Sequence, residues 1–114
     1  MQLQEIVQKL NLKVLSGEKS LNQEVVFGYV SDILSDVMAK AAKHSIWVTN
    51  QTHENVIAIV FFKSLAGVIL PEALAPDDVA LNKAREKGIP IFVSNATAFD
   101  IIGQLYDLGI RGTK

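Results

Sequence analysis

The chain has 114 residues, 49% of them hydrophobic, with 11 basic against 12 acidic side chains and no cysteine. That size and composition suit one domain with a real core, and the near-balanced charge argues against nucleic acid or an anionic membrane as partners. Lacking cysteine, the chain has no disulfide framework, thiolate zinc site, iron–sulfur cluster or cysteine nucleophile, in keeping with a reducing cytoplasm.

The N-terminal Met1-Gln2-Leu3-Gln4-Glu5 has neither the basic nor the apolar region of a secretory signal. Leu3, Ile6, Val7 and Leu10 share one stripe of a short amphipathic helix that Asn11 stops. Lys13-Val14-Leu15 reads as a strand before a turn at Ser16-Gly17-Glu18, and Val25 to Val30 reads as a second, with Gly28 marking a bulge or a close backbone approach. Ser31 or Asp32 then caps a helix whose apolar face is Ile33, Leu34, Val37, Met38 and Ala41, running to Lys43.

Ser45 to Thr49 is the next strand, and Thr52 with Glu54 behind it looks like a helix start. Val56 to Phe62 favours a strand by propensity. A helix is nevertheless expected, because the flanking strands Ile46–Thr49 and Gly67–Leu70 need a crossover if they are parallel. Such a helix is apolar almost all round, which points to a homodimer, and the run is far short of the roughly 20 residues that span a bilayer.

After a loop from Pro71 to Pro76, Asp77-Asp78 opens a helix with apolar Val79, Leu81 and Ala84 that Gly88 ends. Ile89 to Val93 is a strand and Ala98 to Leu108 a last helix capped by Gly109. Gly103 inside that helix costs about 1 kcal/mol against alanine and suggests close packing, within the chain or between chains. Strand and helix thus alternate as in a largely parallel α/β sheet covered on both faces, in a single domain over residues 1–114.

Chemistry is sparse. Gly17-Glu18-Lys19-Ser20 lacks the glycines of a phosphate-binding P-loop, and no three glycines follow a strand at dinucleotide-binding spacing. His44 and His53 are the only histidines; no metal or other cofactor is expected from so thin a ligand set. His44, after Lys43, reads as a helix C-terminal residue favoured by the dipole.

Polar groups gather at Thr49, Asn50, Gln51, Thr52, His53 and Asn55, where a strand passes into a helix, the usual place for a ligand in an open α/β sheet. Ser31-Asp32 and Ser35-Asp36 recur at a spacing of four, so both serines share one helix face and offer a second wall, or two carboxylates for magnesium. Ser31, Asp32, Ser35, Thr49, Gln51, Thr52, His53 and Asn55 are the candidate ligand-binding residues. The same side chains would also serve as helix caps and solvent-facing polar groups.

Segments Gly28–Met38, Trp47–Thr49, Gln51–Asn55, Leu65–Leu70 and Gly88–Ile91, with Phe99, Leu105 and Tyr106, resemble in order and spacing a stand-alone DRTGG-type domain. That family resembles in fold the N-terminal domain of HPr kinase/phosphorylase. The resemblance implies a three-layer α/β/α fold, a tendency to dimerise and an accessory role, since related domains are fused to CBS-domain pyrophosphatases and phosphate acetyltransferases. It implies no kinase activity, which in that enzyme belongs to a separate P-loop domain. Free-standing relatives are associated with iron-hydrogenase systems, so it also implies a redox enzyme as a possible protein partner. The expectation is a cytoplasmic, non-catalytic dimer sensing a small anionic ligand or nucleotide; the alternatives are a structural adaptor subunit and a phosphoryl-transfer enzyme using Asp32 or Asp36 with His53.

Overall fold

In the computed structural model, which describes residues 1–113, the chain forms five α-helices, one short 3-10 helix and a five-stranded sheet. The strands are β1 (Lys13–Ser16), β2 (Phe27–Val30), β3 (Ser45–Val48), β4 (Gly67–Leu70) and β5 (Ile91–Val93). The helices are α1 (Leu3–Lys9), α2 (Leu34–Lys40), α3 (Asn55–Lys63), α4 (Asp78–Lys87) and α5 (Ala98–Asp107). None among the described residues is long and apolar enough to cross a membrane.

The sheet order is β1-β5-β4-β3-β2, with β2 to β5 mutually parallel and β1 antiparallel at the edge. All residues of β3 and β4 are buried, which is why both read as continuous apolar runs. Their parallel pairing requires the crossover that makes Val56–Phe62 a helix against its propensity. Side chains alternate across the sheet. Trp47, Val68, Leu70 and Ile91 cluster with Val37, Val56, Ile57, Val60, Ala80 and Ala84 from α2, α3 and α4. Ile46, Val48, Ile69 and Phe92 cluster with Leu3, Ile6, Ile101 and Leu105 from α1 and α5.

Consecutive parallel strands are neighbours, so the connections after β2, β3 and β4 carry α2, α3 and α4 to one cluster, whereas the connection after β5 carries α5 to the other face, where α1 also lies. Ligands in such sheets usually lie where adjacent connections part, here beyond β4 and β5. That place is closed by backbone: Glu72 and Ala73, both with φ 56°, donate to Ala96 O (2.9 Å) and Ser94 O (2.8 Å). Helix α5 instead runs back over β3, and open space remains between it and the β2 edge.

Several sequence expectations need correction. β2 begins at Phe27 because the Val25 and Val26 amides are spent on Met1 O (2.8 Å) and His44 O (3.0 Å). Its register with β3 is unbroken, so Gly28 marks no bulge; it marks a close approach, since a Cβ there would stand 3.1 Å from Ile110 Cγ2. α2 stops at Lys40, leaving His44 beyond the helix in a left-handed turn with φ 68° rather than at its C-terminus. Val79 is exposed, and α4 packs through Ala80 and Ala84. Gly103 faces open space, with nothing within 4 Å of an added Cβ, so packing within the chain does not explain it.

Candidate functional site

The polar junction forms where β2 and β3 end. Asp32 lies before α2, not in it, because its carboxylate is drawn across to the neighbouring strand. Its Oδ1 accepts from Thr49 Oγ1 (2.8 Å) and the Asn50 amide (2.8 Å), and its Oδ2 accepts from Asn50 Nδ2 (3.1 Å). Gln51 Nε2 donates to Asp32 O (2.9 Å), Trp47 Nε1 donates to Ser31 O (2.9 Å), and Ser31 Oγ accepts from the Ile33 amide (3.1 Å). Partial burial pushes the Asp32 carboxyl up, but the hydrogen bonds from the Asn50 amide, Thr49 and the Asn50 side chain outweigh it and hold the group below its ordinary value.

The expectation that Asp32 or Ser31 caps α2 therefore fails, as does the shared helix face of Ser31 and Ser35. The N-cap of α2 is Ile33, with no side-chain cap bond. Asp36 belongs to a different group: Tyr29 donates its hydroxyl to Asp36 Oδ2 (2.7 Å), and Lys40 Nζ lies 3.1 Å from Oδ1. The Tyr29 hydrogen bond, then the Lys40 one, lower the Asp36 carboxyl, and the same Tyr29–Asp36 bond raises the tyrosine. The two aspartates have separate partners and form no joint cation site.

The remaining candidates scatter. Thr52 accepts the Asp77 amide through its carbonyl (3.0 Å) and donates its hydroxyl to Asp77 Oδ1 (3.2 Å), tying the start of α3 to that of α4. His53 is exposed, and its Nδ1 accepts the Asn55 amide (3.1 Å). The helix starts at Asn55, not at Thr52. Glu54 pairs with Lys83 (2.8 Å), and hydrogen bonding to that ammonium lowers its carboxyl. Ser35 and Asn55 line an open groove between α2 and α3 beside Met38 and Phe62. The structure thus brings Ser31, Asp32, Thr49 and Gln51 together and leaves Ser35, Thr52, His53 and Asn55 elsewhere.

The open space beside α5 adds residues that sequence reading missed. A trough of about 220 Å³ lies between the β2 edge and α5, walled by Val30, Val48, Ile102, Leu105 and Ile110, with Tyr106 and Arg111 at one end. A crevice of about 100 Å³ that includes Asp32, Thr49 and Asn50 shares Val30 and Val48 with it. The Arg111 guanidinium stacks 3.5 Å from the centroid of the Tyr106 ring. Arg111 Nη1 donates to Tyr106 O (2.6 Å) and Ile110 O (3.2 Å), and its Nε and Nη2 have no protein acceptor among the described residues. The segment is held on β2 by the bond from Gly28 N to Arg111 O (3.0 Å). No local pattern around Arg111 signals this pairing, because its partners in β2 lie far from it in the sequence.

No family model and no curated protein matches the sequence. A similar solved structure is that of the CBS and DRTGG domains of the regulatory region of a Clostridium perfringens pyrophosphatase, complexed with its activator diadenosine tetraphosphate. The match has a TM-score of 0.70 at 11% identity and covers 91% of this chain but 45% of that one. The activator is thus a property of a region about twice as long. What the two share is a DRTGG-like, mostly parallel α/β fold.

Proposed function

We propose that this chain is a non-catalytic, dimeric regulatory module that binds a nucleotide in the trough between β2 and α5. The observation that carries the reading is the trough itself, an apolar slot with a stacked arginine at one end that adjoins, across Val30 and Val48, a crevice holding the Asp32 carboxylate. At about 220 Å³ it is smaller than the roughly 300 Å³ at which drug-sized pockets begin, so it suits one planar ring system. The regulatory character of the similar structure supports the same class of role. Alternation of buried residues between two clusters supports a three-layer α/β/α arrangement.

The anionic part of the ligand belongs at Arg111, whose Nε and Nη2 have no protein acceptor among the described residues and so can meet a phosphate. It does not belong at the Ser31–Thr49 junction, because Asp32, held ionised, repels an anion. Asp32 and Asn50 instead form an end wall able to meet a ribose hydroxyl or a base amino group. The phosphoryl-transfer alternative draws no support from Asp32, Asp36 and His53, which have separate partners.

The test is thermal denaturation and calorimetry with AMP, ADP, ATP, the guanine series, adenosine and inorganic phosphate. A saturable rise in Tm with one nucleotide series is expected, weakened about tenfold by Arg111→Gln, the loss of one charge-assisted contact of about 1.4 kcal/mol. Nucleoside affinity should be unchanged by that substitution. A folded protein that responds to none of these compounds refutes the reading.

A second reading has its own observation. Phe62 (74% exposed) and Phe61 (57%) stand out at the end of α3, and Ile33 and Met38 are exposed on and beside α2. That patch suits a protein partner and supports the adaptor role, for which a redox enzyme is the partner the family resemblance suggests.

A further inference from the structure

We infer that a second copy of this chain docks on the exposed face of α5, two-fold and antiparallel, and in doing so closes the mouth of the trough. Phe99, Ile102, Gly103 and Tyr106 fall at i, i+3, i+4 and i+7 and form one outward stripe uninterrupted by charge. The core uses other positions, Ile101 and Leu105. Phe99 is 85% exposed and Tyr106 57%.

The stripe is self-complementary. With an axis between Ile102 and Gly103, Phe99 meets Tyr106 of the partner subunit, and Ile102 fills the space over Gly103 of the partner subunit. This is the pairing a two-fold interface demands of a single surface. It also accounts for a mid-helix glycine that the chain's own packing leaves in open space. A Cβ at that point would hold the two helices apart.

Area favours a second copy as well. At about 200 Å² per ring, Phe99 and Tyr106 together leave roughly 280 Å² of ring surface in water on each copy. Val30 and Ile102, also exposed, extend that patch over the trough. The ring surface alone is about a third of the roughly 800 Å² that each partner buries in a standard interface, enough for its apolar centre. Ile102 and Tyr106 wall the trough on one side and carry this stripe on the other, so the ring of Phe99 of the partner subunit lies across the opening. Ligand and dimer then favour one another.

This inference rests on the dimeric part of the proposed function, and the two can fail separately. Analytical ultracentrifugation of ligand-free protein tests the interface; nucleotide titration tests the site. Wild type should sediment as a dimer, Phe99→Glu as a folded monomer, and Phe62→Glu, on the opposite patch, as a dimer. Gly103→Ala should raise the Tm of the Phe99→Glu monomer, since alanine is the better helix former, while weakening wild-type dimerisation about tenfold or more. If Phe99→Glu does not fold, Gly103→Ala decides alone. A monomeric wild type, a dimer broken by Phe62→Glu and not by Phe99→Glu, or a Gly103→Ala variant that associates as tightly as wild type overturns the inference.

Discussion

Replacing Asp32 by alanine removes the acceptor that ties the end of β2 to the end of β3. Thr49 is 2% exposed, so its hydroxyl loses its acceptor, and the Asn50 amide and side chain lose theirs to water. A buried hydroxyl left without an acceptor costs about 1–3 kcal/mol. The charge part adds little, because Asp32 itself is exposed and screened. The sum is about 2 kcal/mol, or roughly 6–10 °C in Tm for a domain of this size.

Asp32→Asn keeps one acceptor oxygen and should lose less than half of that. The pH dependence has a definite sign. The folded carboxyl lies below its unfolded value of about 3.9, so its contribution is complete above that value and is lost as pH falls through the lower folded one. Asp32→Ala should therefore reduce the acid limb of the stability profile without abolishing it, since Asp36 and Glu54 are lowered too. Urea titrations of both variants from neutral pH downward measure this. An alanine variant matching wild type in Tm to within about 1 °C would show that the junction carries no stability, and the account of it would be wrong.

Gly17 has φ 78°, and a Cβ there would lie 2.5 Å from the Pro90 Cα and N, so Gly17→Ala should cost about 2–4 kcal/mol in chemical denaturation. Tyr29→Phe should let the Asp36 carboxyl rise towards its ordinary value, read directly by NMR titration of its side-chain carbon. Lys83→Ala breaks an exposed pair with Glu54 and should leave the Tm within about 1 °C of wild type.

Most of the fold was legible because its strands are short apolar runs and its helices have ordinary stops. Even Val56–Phe62 yielded to topology, where propensity pointed the other way. Boundaries failed where side chains outside the element recruited a residue, as Thr49 and Asn50 recruit Asp32 away from α2. The polar junction was half legible: Asp32 and Thr49 do meet, but Thr52 answers to Asp77 and His53 to Asn55. The trough was not legible, because Arg111 reaches β2 through a pairing that no local pattern encodes. Gly103 stood out in the sequence as a sign of close packing, but within the chain it faces open space, which only the placement of α5 reveals.

The most direct test of the central claim is a titration of isotope-labelled protein with the nucleotide that raises Tm most, followed by amide chemical shifts. Saturable changes are expected at Gly28, Val30, Tyr106, Arg111 and Gly112, displaced together to about tenfold higher ligand concentration in Arg111→Gln. Changes gathered instead at Thr52 to Asn55, or none at all, would contradict the claim.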